Sequence, residues 1–452
     1  SRDPAAAEEN AALIAEHLQA AGELHAAYQW HMRAATWATY RDVAAARQSW
    51  ERAQAIAEAL PDQDPNRTAM RIAPRTMLCG IAWRVQGNVA ADRFDELREL
   101  CTAAGDTASL AIAMAGLVFY RGFQGRIREA SRLASEALAH IESIGDAKVT
   151  VGLSFPAIYV KTHSGEWGEV LRWSQRVIDV ADGDPSQGNF IFGSPLALAF
   201  LTRAMARYCL GRPGWPDDNL HGVAMARSAD PLSYATVIAY VYFPGISLGV
   251  LWPHDSAVRE IEDALRIAER SGDDLALVFA RAILGLALVY RQTTAERERG
   301  QQLLAEVAAV FQHRGHNLSE LRLVNVFLAR EGARHGDRDK AIPPMLAAVD
   351  ELVREGQLLS WGIPATGVLV ETLLDRGADG DVAAAEAAIE RLAAAPADDG
   401  LVIRDIWLLR LRALLARANG DEASYRDYRD RYRVMATSLG FEGHMAYAEA
   451  MS

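Results

Sequence analysis

A chain of 452 residues, half of them hydrophobic and 23% charged, is longer than one core usually serves and too apolar to be disordered. It is therefore either several domains or a stack of repeats sharing one elongated core. A formal net charge of −12, with no run of basic residues, argues against nucleic acid or an anionic membrane as a partner of this segment. The only lysines are Lys148, Lys161 and Lys340, none in the glycine-rich context of a phosphate-binding loop, which argues against ATP hydrolysis here.

In chain order, Pro4 to Ala20 reads as a first helix, with Asp3 as N-cap and Gly22 beyond its end. Glu23 to Thr39 forms its partner. Arg41 to Leu60 carries Val43, Ala46, Trp50, Ala53 and Ile56 at helical spacing and stops at Pro61. Arg67 to Val85 and Ala90 to Ala104 continue the pattern. Then Gly105, Gly125, Gly145 and Gly165 stand 20 residues apart, each followed by a charged residue: Asp106, Arg126, Asp146 and Glu166. A left-handed glycine closing one helix, followed by a residue that opens the next, is the signature of back-to-back helical hairpins. Two such limbs make a unit of about 40 residues, tetratricopeptide-like in period.

The rhythm breaks between Asp182 and Asp255, where Asp182–Gly188 and Gly211–Pro216 carry loop chemistry, and it returns from Ser256 to the end with glycines at 336, 356, 377, 420 and 440. The expected organisation is thus N-terminal repeats over 1–182, an irregular segment over 183–255 forming a bend or pocket, and C-terminal repeats over 256–452. Phe441 to Ser452 is suited to cap the stack. Pro74, Pro156, Pro195, Pro244 and Pro364 either start helices late or kink them, and the late start suits Pro195 and Pro364 best. Ala235 to Trp252 carries no charge, yet its prolines, glycines and tyrosines read as a buried helical hairpin and not a membrane span. Cys79, Cys101 and Cys209 read as reduced core thiols of a cytoplasmic protein. The opening without methionine is expected of a piece of a longer chain.

Chemistry-bearing patterns are few. Gly245-Ile-Ser-Leu-Gly249 has the letters of a hydrolase nucleophile elbow, but no strand-and-helix alternation surrounds it, so Ser247 reads as a small helix-packing residue. His313, His316 and Glu320 have ligand-like spacing, but Gly315 and Asn317 interrupt the helix, which favours a solvated helix end. Asp375, Asp379, Asp381 and Glu386 do not alternate as a calcium cage requires and read as capping. Tyr425 to Arg433 reads as a solvated, salt-bridged helix face, with a partner surface as the lesser reading. No catalytic, cofactor or metal residue is assigned. Aromatic residues are densest before Pro253, and Trp167, Trp173, Asn189, Phe190, Phe192, Tyr234, Tyr240 and Trp252 are the candidate ligand or partner surface on the concave face.

The stretches Ala6–Leu18, Ala27–Ala34, Leu97–Asp106, Asn189–Ala197 and Tyr425–Arg433 resemble the C-terminal helical-repeat region of actinobacterial, especially mycobacterial, multidomain signalling proteins. Those carry a class III adenylyl cyclase domain, then a signal-transduction ATPase domain, then the repeat region, and some relatives end in a LuxR-type DNA-binding domain. The cyclase and ATPase motifs have no counterpart here. The resemblance implies a sensor or interaction arm that binds a protein partner or its own N-terminal domains, or else a small-molecule inducer. Self-association is left open. The expected fold is all-α, about 22 helices packed as antiparallel pairs in a right-handed superhelix.

Overall fold

Hydrophobic residues at intervals of three and four, punctuated by glycine, produce helices throughout. The computed structural model describes residues 9–39, 41–84, 89–188, 194–227 and 230–451. The helices are α1 Ala11–Ala20, α2 Leu24–Ala38, α3 Val43–Ala59, α4 Arg67–Gly80, α5 Val89–Ala104, α6 Thr107–Phe123, α7 Ile127–Ile144, α8 Ala147–Leu153, α9 Phe155–Ser164, α10 Trp167–Ala181, α11 Pro195–Cys209 and α12 Trp215–Ala226. After them come α13 Pro231–Ser247, α14 Asp255–Ser271, α15 Asp274–Val289, α16 Thr294–Arg314, α17 Leu318–Arg334, α18 Arg338–Arg354, α19 Gly362–Arg376, α20 Asp381–Ala393, α21 Val402–Ala418, α22 Glu422–Leu439 and α23 Glu442–Ala450. Among the described residues there is no strand, so the fold is all-α. The expected start of the first helix, at Pro4, lies outside the described residues.

The punctuation is physical. Gly105, Gly125, Gly145 and Gly165 all take left-handed backbone, with φ between 69° and 75°. Asp106 and Asp146 then cap the next helix, accepting from Ser109 N at 3.0 Å and Val149 N at 2.9 Å. Glu166 does something different: its carboxylate takes Lys161 Nζ at 2.6 Å, with Lys161 almost fully buried.

The prolines divide. Pro195 opens α11, and Pro156 and Pro364 sit in the first turns of α9 and α19. Pro74 and Pro244 lie inside α4 and α13, as do Pro343 and Pro344 inside α18. The uncharged segment from Ala235 is not a hairpin but the body of one helix, α13, followed by a turn at left-handed Gly249. No described helix is long and apolar enough to cross a membrane.

Compactness divides the chain into two units: residues 1–121 with 133–149, and residues 122–132 with 150–452. These bounds differ from the rhythm-based ones at 182 and 255. In the first unit, Ala27, Tyr28, Ala53, Ile56, Ala57, Leu60 and Met70 form one cluster and Ala35, Ala38, Ala46, Trp50, Leu78 and Ile81 another. Buried Arg75 joins Glu58 and Glu96 above them. Close crossing of α4 and α6 depends on Gly116, where a Cβ would meet Cys79 O at 2.2 Å.

In the second unit each helix packs on the next, and the odd-numbered helices α9 to α21 also pack on one another as a continuous inner row. The row coils back on itself, because α11 also touches α21. Loops of the first turn of the coil seat segments of the second. Gly125 receives Arg322, Gly165 receives Leu359, Gly211 receives Val402 and Gly249 receives His444. These four glycine contacts, and several hydrogen bonds beside them, join residues 190 to 197 apart, such as Trp252 N to Glu442 and Arg322 to Gly125 O. A constant offset means that the turns lie in register, with about five 40-residue units per turn.

Two glycines separate local from long-range constraint. A Cβ on Gly367 would lie 2.1 Å from the Trp407 ring, whereas Gly145 has open space and only its φ of 69° to lose. Gly367→Ala is expected to destabilise the second unit by about 3 kcal/mol through overpacking, and Gly145→Ala to cost about 1 kcal/mol. Urea unfolding midpoints measure both, and equal costs would contradict this packing.

Candidate functional site

The seam ends where the last helix enters the turn that follows α13. The Leu248 carbonyl accepts from Trp407 Nε1 at 3.0 Å and faces His444 Nε2 at 3.0 Å. A carbonyl only accepts, so Nε2 carries the proton and Nδ1 accepts from the Tyr432 hydroxyl at 2.8 Å. Two backbone bonds, Glu442 N to Val250 O at 2.9 Å and His444 N to Gly249 O at 3.0 Å, complete the joint. These bonds hold the terminal segment: His444 is fully buried, and the Tyr425 hydroxyl donates to Met451 O at 2.7 Å.

A second polar cluster lies inside the coil. Glu320 Oε1 receives His163 Nε2 at 2.8 Å and the Tyr159 hydroxyl at 3.2 Å, while His163 Nδ1 points to Tyr159 O at 2.8 Å. Burial works against the Glu320 charge, but His163 beside it holds the carboxyl below its usual range. Glu320 Oε2 and the Tyr240 hydroxyl are buried without a hydrogen-bond partner. The expectation of a solvated helix end at His313, His316 and Glu320 fails for the last two: His316 is buried in the connection before α17, and Glu320, in the first turn of α17, faces the interior. No group of metal-ligating side chains occurs among the described residues.

Ser247 is fully buried and donates to Pro244 O at 3.3 Å. Asp381 takes Arg376 at 2.6 Å and the Ala378 amide at 2.9 Å, a local staple in place of a cation cage. Asp427 and Arg431 do form an exposed pair at 3.1 Å, while Tyr425 and Tyr432 on the same helix face inward.

Two cavities flank Trp252. One, of about 610 Å³, is an apolar groove lined by Trp215, Leu220, Val241, Leu251 and Trp252, with Glu260 and Glu442 at its edge. Leu220 is 69% exposed there. The other, of about 500 Å³, lies between Trp252, Tyr290 and Tyr447 and is lined by Arg291, Arg297, Arg330, Arg334 and Glu371. The Trp252 ring meets Tyr290 and Tyr447 edge-on, at 6.4 and 6.0 Å.

Of the eight sequence candidates, Trp252 lines both cavities. Trp167 is buried, with Nε1 bonded to Leu359 O at 3.1 Å, and Trp173 is buried in α10 packing. Tyr234 is buried near the start of α13, and Tyr240 is half-buried with its hydroxyl beside the Glu320 cluster. Asn189, Phe190 and Phe192 lie outside the described residues. Sequence reasoning did not single out Tyr290, Tyr447 or the arginines of the second cavity. A pair of arginines four apart on one helix, Arg330 and Arg334, was the available signal.

The fold defines an all-helical repeat protein. The chain matches no protein-family model and no curated protein. Among solved structures it is similar to a Rap protein complexed with Competence and Sporulation Factor, at 14% identity and a TM-score of 0.41, over 93% of this chain and 99% of that one. It is also similar to yeast Tom70, at 12% identity and a TM-score of 0.32, covering 99% and 96%. A circular tandem repeat protein matches at 14% identity and a TM-score of 0.16, covering 98% and 87%.

Burial holds His444 down to about 3 and His316 down to about 4. The unfolded chain therefore takes up protons first as pH falls. Stability is full above about pH 6.5, the ordinary histidine value, and declines below it, by about 2 kcal/mol per histidine at pH 5. His444→Gln is expected to flatten the fall in melting temperature between pH 7 and 5. An unchanged slope would contradict the buried neutral imidazole.

Proposed function

We propose that this chain is a non-catalytic regulatory and interaction region of a larger signalling protein, and that it takes a partner segment in the groove beside Trp252. The observation that carries the reading is the groove itself. Trp215, Leu220, Leu251 and Trp252 present apolar surface around a cavity of about 610 Å³, and Leu220 stands 69% exposed beside them. The occupant is an apolar-faced peptide, from a partner protein or from the parent's own N-terminal domains. A cyclase or ATPase parent, and a cytoplasmic setting, follow from the family resemblance and belong to this proposal, as does self-association through the same groove.

A second reading, a small-molecule inducer sensor, draws on the buried cluster of Tyr159, His163, Glu320 and Tyr240. Its unpartnered carboxylate oxygen and hydroxyl are groups that a polar ligand would satisfy.

Selection of displayed peptides against the whole chain tests the first reading. Binders enriched on the wild type are expected to carry an apolar face and to lose at least about tenfold in affinity against Leu220→Asp or Trp252→Ala, the loss of one well-buried apolar anchor. Binders indifferent to both substitutions would remove the groove from the account. Native mass spectrometry before and after denaturation tests the second, through any small molecule released on unfolding.

A further inference from the structure

The cavity between Trp252, Tyr290 and Tyr447 is built differently from the groove. Arg330 lines it, its guanidinium 4.5 Å from the Tyr290 ring centroid and 5.0 Å from that of Phe327, with Nε 3.3 Å from Glu331. Arg334 reaches the same Glu331 carboxylate at 2.7 Å, so two guanidiniums share one buried acid. Arg297 reaches no carboxylate among the described residues and donates instead to Gln292 O at 2.6 Å and, more distantly, to Arg291 O and the Thr294 hydroxyl. The remaining charges are matched: Arg291 bonds Asp255 at 2.5 Å and Glu296 at 3.0 Å, and Glu371 pairs with Arg410. Burial and the positive charge of Arg330 and Arg297 lower the proton affinity of Arg334, as expected where cations crowd one another.

We propose that this cavity binds a small organic oxyanion, a phosphate or carboxylate carried on a flat ring, with Arg297, Arg330 and Arg334 holding the anionic group and Trp252, Tyr290 and Tyr447 enclosing the ring. Guanidiniums match planar and tetrahedral oxyanions through paired N–H donors, and the aromatic walls favour a flat partner. A volume of about 500 Å³ admits a ligand of drug size and excludes a folded partner. The groove on the other side of Trp252 carries no such arginine set, so this assignment stands independently of the peptide reading.

Calorimetric titration of the whole chain at low salt tests it with four probes: phenyl phosphate, benzoate, inorganic phosphate and benzyl alcohol. Phenyl phosphate or benzoate is expected to bind at least about tenfold tighter than inorganic phosphate, and benzyl alcohol not to bind. Whichever of the two ring-bearing anions binds tighter identifies the oxyanion. Arg334→Ala and Arg297→Ala are each expected to weaken binding about tenfold or more, the value of one charged hydrogen bond. Tyr447→Leu should weaken the ring-bearing anions and leave inorganic phosphate unchanged. Arg314→Ala, which breaks an exposed pair with Asp274 elsewhere, should change nothing. Circular dichroism confirms that each variant is folded. The assignment is overturned if no anion binds at millimolar concentration, if inorganic phosphate binds as tightly as the ring-bearing anions, or if folded Arg297→Ala and Arg334→Ala variants bind as the wild type does.

Discussion

The second unit depends on the contact of one superhelical turn with the next. A stack of helical hairpins can in principle extend as an open arm, each unit touching only its neighbours. Here the loops at Gly125, Gly165, Gly211 and Gly249 are sunk against segments almost 200 residues later, and at each of them a Cβ would strike the later side chain. Glycine at these positions does two things at once. It lets the chain adopt the left-handed turn that ends a helix, and it leaves room for Arg322, Leu359, Val402 or His444 to seat.

Closing the seam withdraws polar groups from water, and the molecule answers with specific partners. Leu248 O is shared by Trp407 and His444, Arg322 spans Gly125 O, Gln357 and Glu351, and Glu320 is met by His163 and Tyr159. Each partnership offsets a desolvation cost that an open arm would not incur. Site and seam are also joined. Glu442 borders the apolar groove and Tyr447 walls the arginine cavity, and both belong to the last helix, so neither cavity is complete until that helix docks. Ligand occupancy and closure of the coil are thus thermodynamically linked: a ligand that touches Tyr447 stabilises the docked helix by the same free energy that docking adds to its binding.

Much of the architecture was legible because its causes are local. A glycine every 20 residues, aspartates at 106 and 146, and apolar spacing of three and four report helices, turns and caps without knowledge of what lies across the fold. What escaped is long-range. His444 sits in a short, small-residue segment and carries no signature of pairing with a carbonyl 196 residues earlier. Glu320 suggested a ligand set with His313 and His316, yet its true partner is His163, 157 residues away. The aromatic density before Pro253 pointed to one stretch, but helical spacing buried Trp167 and Trp173 in the core. Trp252, on the turn after α13, is the one described candidate that reaches the cavities. The arginines of the second cavity were passed over, since nothing local places Arg330 and Arg334 in one cavity with Arg297, Trp252 and Tyr447.

The in-register seam makes the second unit a gauge of its own length. Repeat arrays commonly diversify by duplicating or deleting whole units, and an open stack accepts the change by growing or shrinking at one end. Here the joint between Gly249 and Gly443, whose added Cβ would lie 2.8 Å from Gly249 O, tolerates no slippage. An extra hairpin placed anywhere between them would carry His444 past Leu248 by a whole unit, leaving its imidazole without that acceptor. The number of helices between residues 249 and 443 is therefore part of the fold's specification, as binding as the identity of any core residue.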